Sequence, residues 1–142
     1  MIYQAKYDDL IDLLCSDLLG EGISRKVFLC SLNPDWVVKI ETDDNTFQNL
    51  VEWKVWLNSQ GSKSLSKWLA PCHYMSNSGK ILIQSKTIPI RKSDIPDRVP
   101  HFFNDEKFEN YGILNGQFVC HDYGTLGFVE GMSKRLVKQK FY

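Results

Sequence analysis

Gly20-Glu21-Gly22-Ile23-Ser24-Arg25-Lys26-Val27 sets two glycines one residue apart in a short loop. With no Cβ in the way, backbone N–H groups there can approach phosphate oxygens. Lys39 sits inside the apolar run Trp36-Val37-Val38-Lys39-Ile40, where a buried ammonium is costly unless an anion or water meets it. Asp105-Glu106-Lys107-Phe108-Glu109-Asn110 combines a carboxylate, a cation and an amide oxygen at spacings of two and three. Together these can orient a hydroxyl, neutralise a transferring phosphoryl group and ligate a metal. Asp122-Tyr123-Gly124 adds one more hard oxygen donor of the kind Mg²⁺ prefers. Each stretch alone also fits an ordinary turn, an edge residue reaching solvent or a polar loop.

The surrounding pattern predicts the elements that would hold these residues. Asp8 or Asp9 can cap a helix with Leu10, Leu13, Leu14 and Leu18 on one side. It should end in a flexible turn at Leu19 to Ser24. Arg25 to Cys30 and Trp36 to Ile40 read as strands around Asn33-Pro34-Asp35. A second helix is expected from about Phe47 to Asn58, capped near Asp44 to Thr46. Its expected apolar face holds Phe47, Leu50, Val51 and Leu57, widened by Trp53 and Trp56. A hairpin should join Cys72 to Met75 with Ile81 to Thr87, and Pro89, Pro96 and Pro100 punctuate an irregular stretch after it. Asn115-Gly116 predicts a tight hairpin between Tyr111 to Leu114 and Gln117 to His121. Phe128 to Tyr142 is read as a short helix. The order amounts to an α+β domain spanning 1–142.

Composition narrows the field. Seventeen Lys plus Arg balance seventeen Asp plus Glu, and 43% of residues are hydrophobic. A folded domain fits these values, and broad electrostatic binding of nucleic acid does not. Lys134, Arg135, Lys138 and Lys140 form the nearest thing to a basic block. Short apolar runs and the absence of a signal-peptide pattern lead to the expectation of a cytoplasmic protein with no membrane span. Cys15, Cys30, Cys72 and Cys120 never form C-x-x-C, so reduced thiols are expected. Cys72-His73 and Cys120-His121 could supply four zinc ligands, but neighbours on a strand face opposite ways, which disfavours one metal.

Taken together, the four stretches resemble the protein-kinase-like family from about Leu18 to Gly124. Gly20-x-Gly22-x-x-Arg25-x-Val27 is similar to its glycine-rich loop, and Lys39 to its strand lysine. Asp105-x-Lys107-x-x-Asn110 is similar to its catalytic loop, and Asp122-Tyr123-Gly124 to its D-F-G motif. The resemblance implies an antiparallel small lobe over 1–88, with a helix of the αC type. A truncated large-lobe remnant over 89–142 would carry the catalytic loop and metal-binding strands. ATP and Mg²⁺ would be the cofactors. Backbone from Gly20 and Gly22 to Ser24 would cover the phosphates, Lys39 would contact them, and Glu52 would orient Lys39. Asn110 and Asp122 would hold the metal, while Asp105 and Lys107 would serve the acceptor hydroxyl and the transferred group. Backbone near Ser85 to Thr87 would meet adenine.

Departures from the family pattern are as informative. Arg25 replaces the third loop glycine, Phe103 and Asn104 replace the catalytic-loop His and Arg, and no A-P-E follows Gly124. The resemblance thus implies a minimal phosphotransferase without the usual peptide groove, its acceptor a protein or small-molecule hydroxyl. Such compact members are expected of a bacteriophage or its host, which puts a host protein among the acceptors the resemblance allows. A second copy or a partner could complete the missing lobe. The competing reading is a pseudokinase that binds nucleotide and acts by interaction or inhibition.

Overall fold

The computed structural model describes residues 2–103, 105–124 and 135–142. Helix α1 (Ile2–Leu14) runs directly into strand β1 (Cys15–Glu21), and the chain returns as β2 (Arg25–Cys30) and β3 (Trp36–Glu41). Helix α2 (Gln48–Ser59) and the single turn α3 (Lys63–Ser66) lead to β4 (Cys72–Met75) and β5 (Ile81–Ser85). Five further strands follow among the described residues: β6 (Ile88–Pro89), β7 (Arg98–Pro100), β8 (Tyr111–Leu114), β9 (Gln117–Cys120) and β10 (Leu136–Lys138). The fold is α+β. One antiparallel sheet has the order β1-β2-β3-β5-β4, a second is β6-β8-β9, and β7 pairs with β10. No helix among the described residues is long and apolar enough to cross a membrane.

The β-branched run of β3 places it at the centre of the large sheet, between β2 and β5. Its side chains alternate across the sheet. Val38 and Ile40 join Cys30, Ile81 and the α1 residues Ile11 and Leu14 in one apolar cluster. Lys39 and Glu41 take the other face, at 3% and 5% exposure. A larger core gathers Val55 of α2, Trp68, Leu69, Leu82, Tyr111, Phe118 and Tyr123. It spans both sheets because β9 docks on the segment before β4. There the Ala70 N–H donates to the Cys120 carbonyl and the Cys120 N–H to the Trp68 carbonyl, both at 2.8 Å.

Several expectations give way. Cys15 to Leu18 is strand, not helix. Ser31 donates its N–H to the Leu14 carbonyl at 2.8 Å and ends α1 there, while Cys15 pairs with Cys30. Residues 16 to 21 of β1 are all exposed, so no apolar alternation marked the strand. The helix expected over Phe128 to Tyr142 falls partly outside the described residues, and Leu136–Lys138 within it is a strand on β7. Asn115 and Gly116 form the expected turn, with φ of 51° and 79°.

The largest correction concerns α2. It buries Asn49, Glu52, Val55 and Ser59, while Phe47 and Leu57 are 62% and 52% exposed. No side chain caps it from Asp44 to Thr46. Instead Glu41 of β3 accepts the Asn49 N–H at 2.7 Å and the Thr46 hydroxyl at 2.6 Å. A tertiary carboxylate thus satisfies a first-turn N–H that otherwise needs a local cap.

Gly112 supplies a testable packing constraint. A Cβ there would lie 2.2 Å from Thr87 Oγ1 and 3.1 Å from His121 Nδ1, and those two atoms are themselves bonded at 2.7 Å. Gly112→Ala must push Thr87 off His121. We expect a loss of about 1–3 kcal/mol in urea denaturation, the usual scale of overpacking. An unchanged midpoint would show that the strand pair yields freely.

Candidate functional site

Lys39 projects from the central strand toward α2, and the helix face turned to it is polar. Its ammonium donates to Glu52 Oε1 at 2.7 Å and also to the His121 carbonyl. Glu52 Oε2 accepts Arg25 Nη2 at 2.6 Å, the Tyr123 N–H at 3.2 Å and the Gly124 N–H at 2.9 Å. Two successive backbone N–H groups therefore grip a carboxylate that already faces two cations. One turn earlier, Asn49 accepts Arg25 Nη1 at 3.1 Å and donates to the carbonyls of Lys39, Gly79 and Lys80 at 3.0 to 3.1 Å. Arg25 Nη2 also reaches Asp122 Oδ1 at 2.8 Å. Glycine at 124 lets the turn approach: a Cβ there would lie 2.9 Å from the Gln48 Cβ.

Glu52 is fully buried, and Arg25 and Lys39 are nearly so. Burial works to raise the Glu52 carboxyl, but Lys39 and Arg25 outweigh it and hold it down to about 2. Burial likewise works to lower Arg25, and Glu52 and Asp122 together push it above its ordinary value. Glu52 and Arg25 thus hold each other in their charged forms. An unpaired charge here would cost several kcal/mol, on the order of the effective penalty for a desolvated ion.

His121 carries the network outward. Its Nε2 meets the Glu109 carbonyl and its Nδ1 meets the Thr87 hydroxyl, each at 2.7 Å. The carbonyl can only accept, so Nε2 carries the hydrogen and Nδ1 accepts from Thr87. Burial and the nearby Lys39 hold its pKa below the ordinary histidine value, consistent with that neutral tautomer. Tyr123 donates its hydroxyl to the Ala70 carbonyl at 2.8 Å, and its oxygen lies 3.1 Å from Cys72 Sγ. Burial pushes the Cys72 thiol up to about 12, so it stays a protonated core residue. His73 faces elsewhere, stacked on Trp36 and bonded to Ser85. Among the described residues no group of three or more His, Cys, Asp or Glu is placed to hold a metal.

Of the residues singled out by sequence, the structure brings Lys39, Glu52 and Asp122 into one cluster. Asn110 joins through its backbone: its carbonyl accepts the N–H groups of His121 at 2.9 Å and Asp122 at 3.2 Å. The Asp105 carbonyl accepts Asn110 Nδ2 at 3.2 Å and the Tyr111 hydroxyl at 3.1 Å, which ties this segment to the same hairpin. Asp105 is half-buried and Lys107 exposed, and neither side chain bonds to the Lys39 cluster. Gly20 and Gly22 are exposed, and Ser24 is buried. Gly20 pairs with Val27, Gly22 donates its N–H to the Arg25 carbonyl at 2.8 Å, and the Ser24 carbonyl accepts from Thr42 at 2.7 Å. Ser85 and Lys86 donate their N–H groups to Pro71 and Asp35, so those two amides already serve the fold.

C-terminal residues strap the Asp105 segment down. Lys140 and Tyr142 donate their N–H groups to Glu106, at 2.7 Å and 3.3 Å, and Phe141 packs on Tyr111, Phe108 and Phe118. An open cleft of about 460 Å³ lies beside this strap, lined by His101, Phe103, Glu106, Lys138, Lys140 and Tyr142.

Sequence reasoning missed Arg25, Asn49 and Glu41 as parts of the cluster. A signal for Asn49 was present: Asn49, Glu52 and Val55 recur every three residues and so share a helix face. Compared with protein-family models and with curated proteins, the chain matches none.

Proposed function

We propose that this chain is a kinase-like phosphotransferase that uses Mg-ATP to phosphorylate a hydroxyl on a protein or small molecule. The observation that carries the reading is the buried Lys39–Glu52 pair, 2.7 Å long, with the Asp122-Tyr123-Gly124 turn docked on the same carboxylate. That arrangement holds a cation toward a phosphate site and a metal-binding carboxylate beside it. The sheet order β1-β2-β3-β5-β4, with α2 crossing between β3 and β4, supports a kinase-like small lobe. β8, β9 and the segment before them then stand as the large-lobe remnant.

Asp122 and Asn110 are suited to Mg²⁺. The Asp122 side chain is 44% exposed, its Oδ2 makes no hydrogen bond among the described residues, and the Asn110 carbonyl accepts the Asp122 N–H across the hairpin. One carboxylate and one amide oxygen are few, yet Mg²⁺ takes few protein ligands when phosphates and water complete its shell. When bound, the ion neutralises charge on the β- and γ-phosphates. Gly20 to Ser24 cover the phosphates, Lys39 contacts them and Glu52 holds Lys39 in place. Asp105 orients the acceptor hydroxyl and receives its proton, and Lys107 offsets charge developing on the transferred group.

The Arg25–Asp122 ion pair favours a second reading, a pseudokinase acting through interaction, because it engages the carboxylate that would hold the metal. Both readings require nucleotide. Millimolar Mg-ATP should therefore raise the melting temperature, by an amount set by mass action: about 2.7 kcal/mol at a hundredfold excess over Kd. Lys39→Ala and Asp122→Asn should reduce or abolish the rise. A folded wild type with no shift would rule out both readings.

A further inference from the structure

Arg25 is 5% exposed and is fastened from two sides. Asn49 and Glu52, both fully buried on α2, hold Nη1 and Nη2. Its third partner, Asp122, has a side chain 44% exposed and is the one free to leave. A guanidinium is a rigid planar fork that stays charged at any working pH. Nη2 has two hydrogens: one is directed at Glu52 and the other at Asp122 Oδ1. Lys39 and Arg25 are met by Glu52, Asp122 and the buried Glu41 of β3, so the closed cluster shows an incoming anion no net positive charge.

We propose that Arg25 is a phosphate-binding residue of this site, masked by Asp122 until a metal-bound nucleoside polyphosphate draws that carboxylate away. The proposal rests on the nucleotide reading above. Once Asp122 turns to the metal, the Nη2 hydrogen it leaves points into the space its oxygen held. A non-bridging phosphate oxygen takes that place, and the fork need not move because Asn49 and Glu52 still hold it. A side chain at position 25 thus supplies a charged donor where a glycine would offer only backbone. Such charge-assisted bonds are short and roughly twice as strong as neutral ones.

A double-mutant cycle on ATP affinity, measured by calorimetry in EDTA and again in Mg²⁺, tests this. In EDTA, Asp122→Asn should tighten ATP binding about tenfold by unmasking Arg25, the scale of one hydrogen bond to a charged group. In the Arg25→Gln background the same change should gain less than about threefold, the difference being the coupling between the two side chains. In Mg²⁺ the sign should reverse, because a neutral amide is a poorer ligand for this hard cation than the carboxylate it replaces. Should Arg25→Gln not fold, Arg25→Lys carries the cycle, keeping the charge but losing the fork; its gain should be at least about threefold smaller than with Arg25. An equal gain in both backgrounds means Asp122 repels ATP only through its charge, and overturns the role of Arg25 while leaving nucleotide binding intact. Failure of every form to bind ATP in either buffer removes the nucleotide reading and this proposal with it.

Discussion

Glu52→Gln should destabilise the fold by about 3–5 kcal/mol at neutral pH, the scale of removing one partner from a buried ion pair. Glutamine keeps the shape of the side chain and can still accept from the Tyr123 and Gly124 N–H groups. It cannot balance Lys39 and Arg25, which bond to Glu52 at 2.7 Å and 2.6 Å; Arg25 would keep Asp122, and Lys39 would have no ion-pair partner among the described residues. The deficit should also depend on pH. Folding lowers the Glu52 carboxyl from 4.5 to about 2, so the unfolded chain takes up its proton first. The stabilisation from this group is complete above about pH 4.5 and is lost as pH falls toward 2, on the order of 3 kcal/mol in all. Urea midpoints of wild type and Glu52→Gln should therefore converge between pH 7 and pH 3. A gap of the same size at both values would mean that the carboxylate charge is not what holds the cluster.

Asp105→Asn should lower phosphoryl transfer by about a hundredfold or more, the usual scale for a positioned acid–base group, while leaving the Mg-ATP thermal shift in place. The two effects separate because the fold uses the Asp105 carbonyl, held by Asn110 and Tyr111, whereas the role proposed for this residue belongs to its carboxylate. Asparagine preserves volume and backbone, so a loss of transfer cannot be put down to collapse of the hairpin. Labelled ATP with the protein alone, with lysate and with small-molecule hydroxyls gives the readout. Equal incorporation by wild type and Asp105→Asn would remove Asp105 from the chemistry. No incorporation by a wild type that binds ATP would leave the pseudokinase reading.

Lys39 could be read from the chain because a lysine within Trp-Val-Val-Lys-Ile demands a counter-charge, whatever surrounds it. Glu52 could be named only through a family pattern, since a glutamate in a helix is usually solvated. Arg25 looked like a missing glycine. Its partners lie 24, 27 and 97 residues away, and no local period encodes contacts at such separations.

By itself, the sequence determined the local elements: β2, β3, the β4–β5 hairpin, the Asn115-Gly116 turn and the extent of α2. Each depends on propensity or turn chemistry acting over a few residues. Tertiary structure decided which face of α2 is buried. Read alone, the helix offers Phe47, Leu50 and Leu57 to a core; in the fold it turns Asn49 and Glu52 inward, because Lys39, Arg25 and Glu41 are already desolvated on the sheet face opposite. Paired there, these charges avoid a penalty larger than the gain from burying two more apolar side chains, about 1.5–3 kcal/mol each. Strand β1 was decided the same way. Its residues carry no readable alternation, and it is a strand because the edge of β2 supplies the hydrogen bonds its backbone needs.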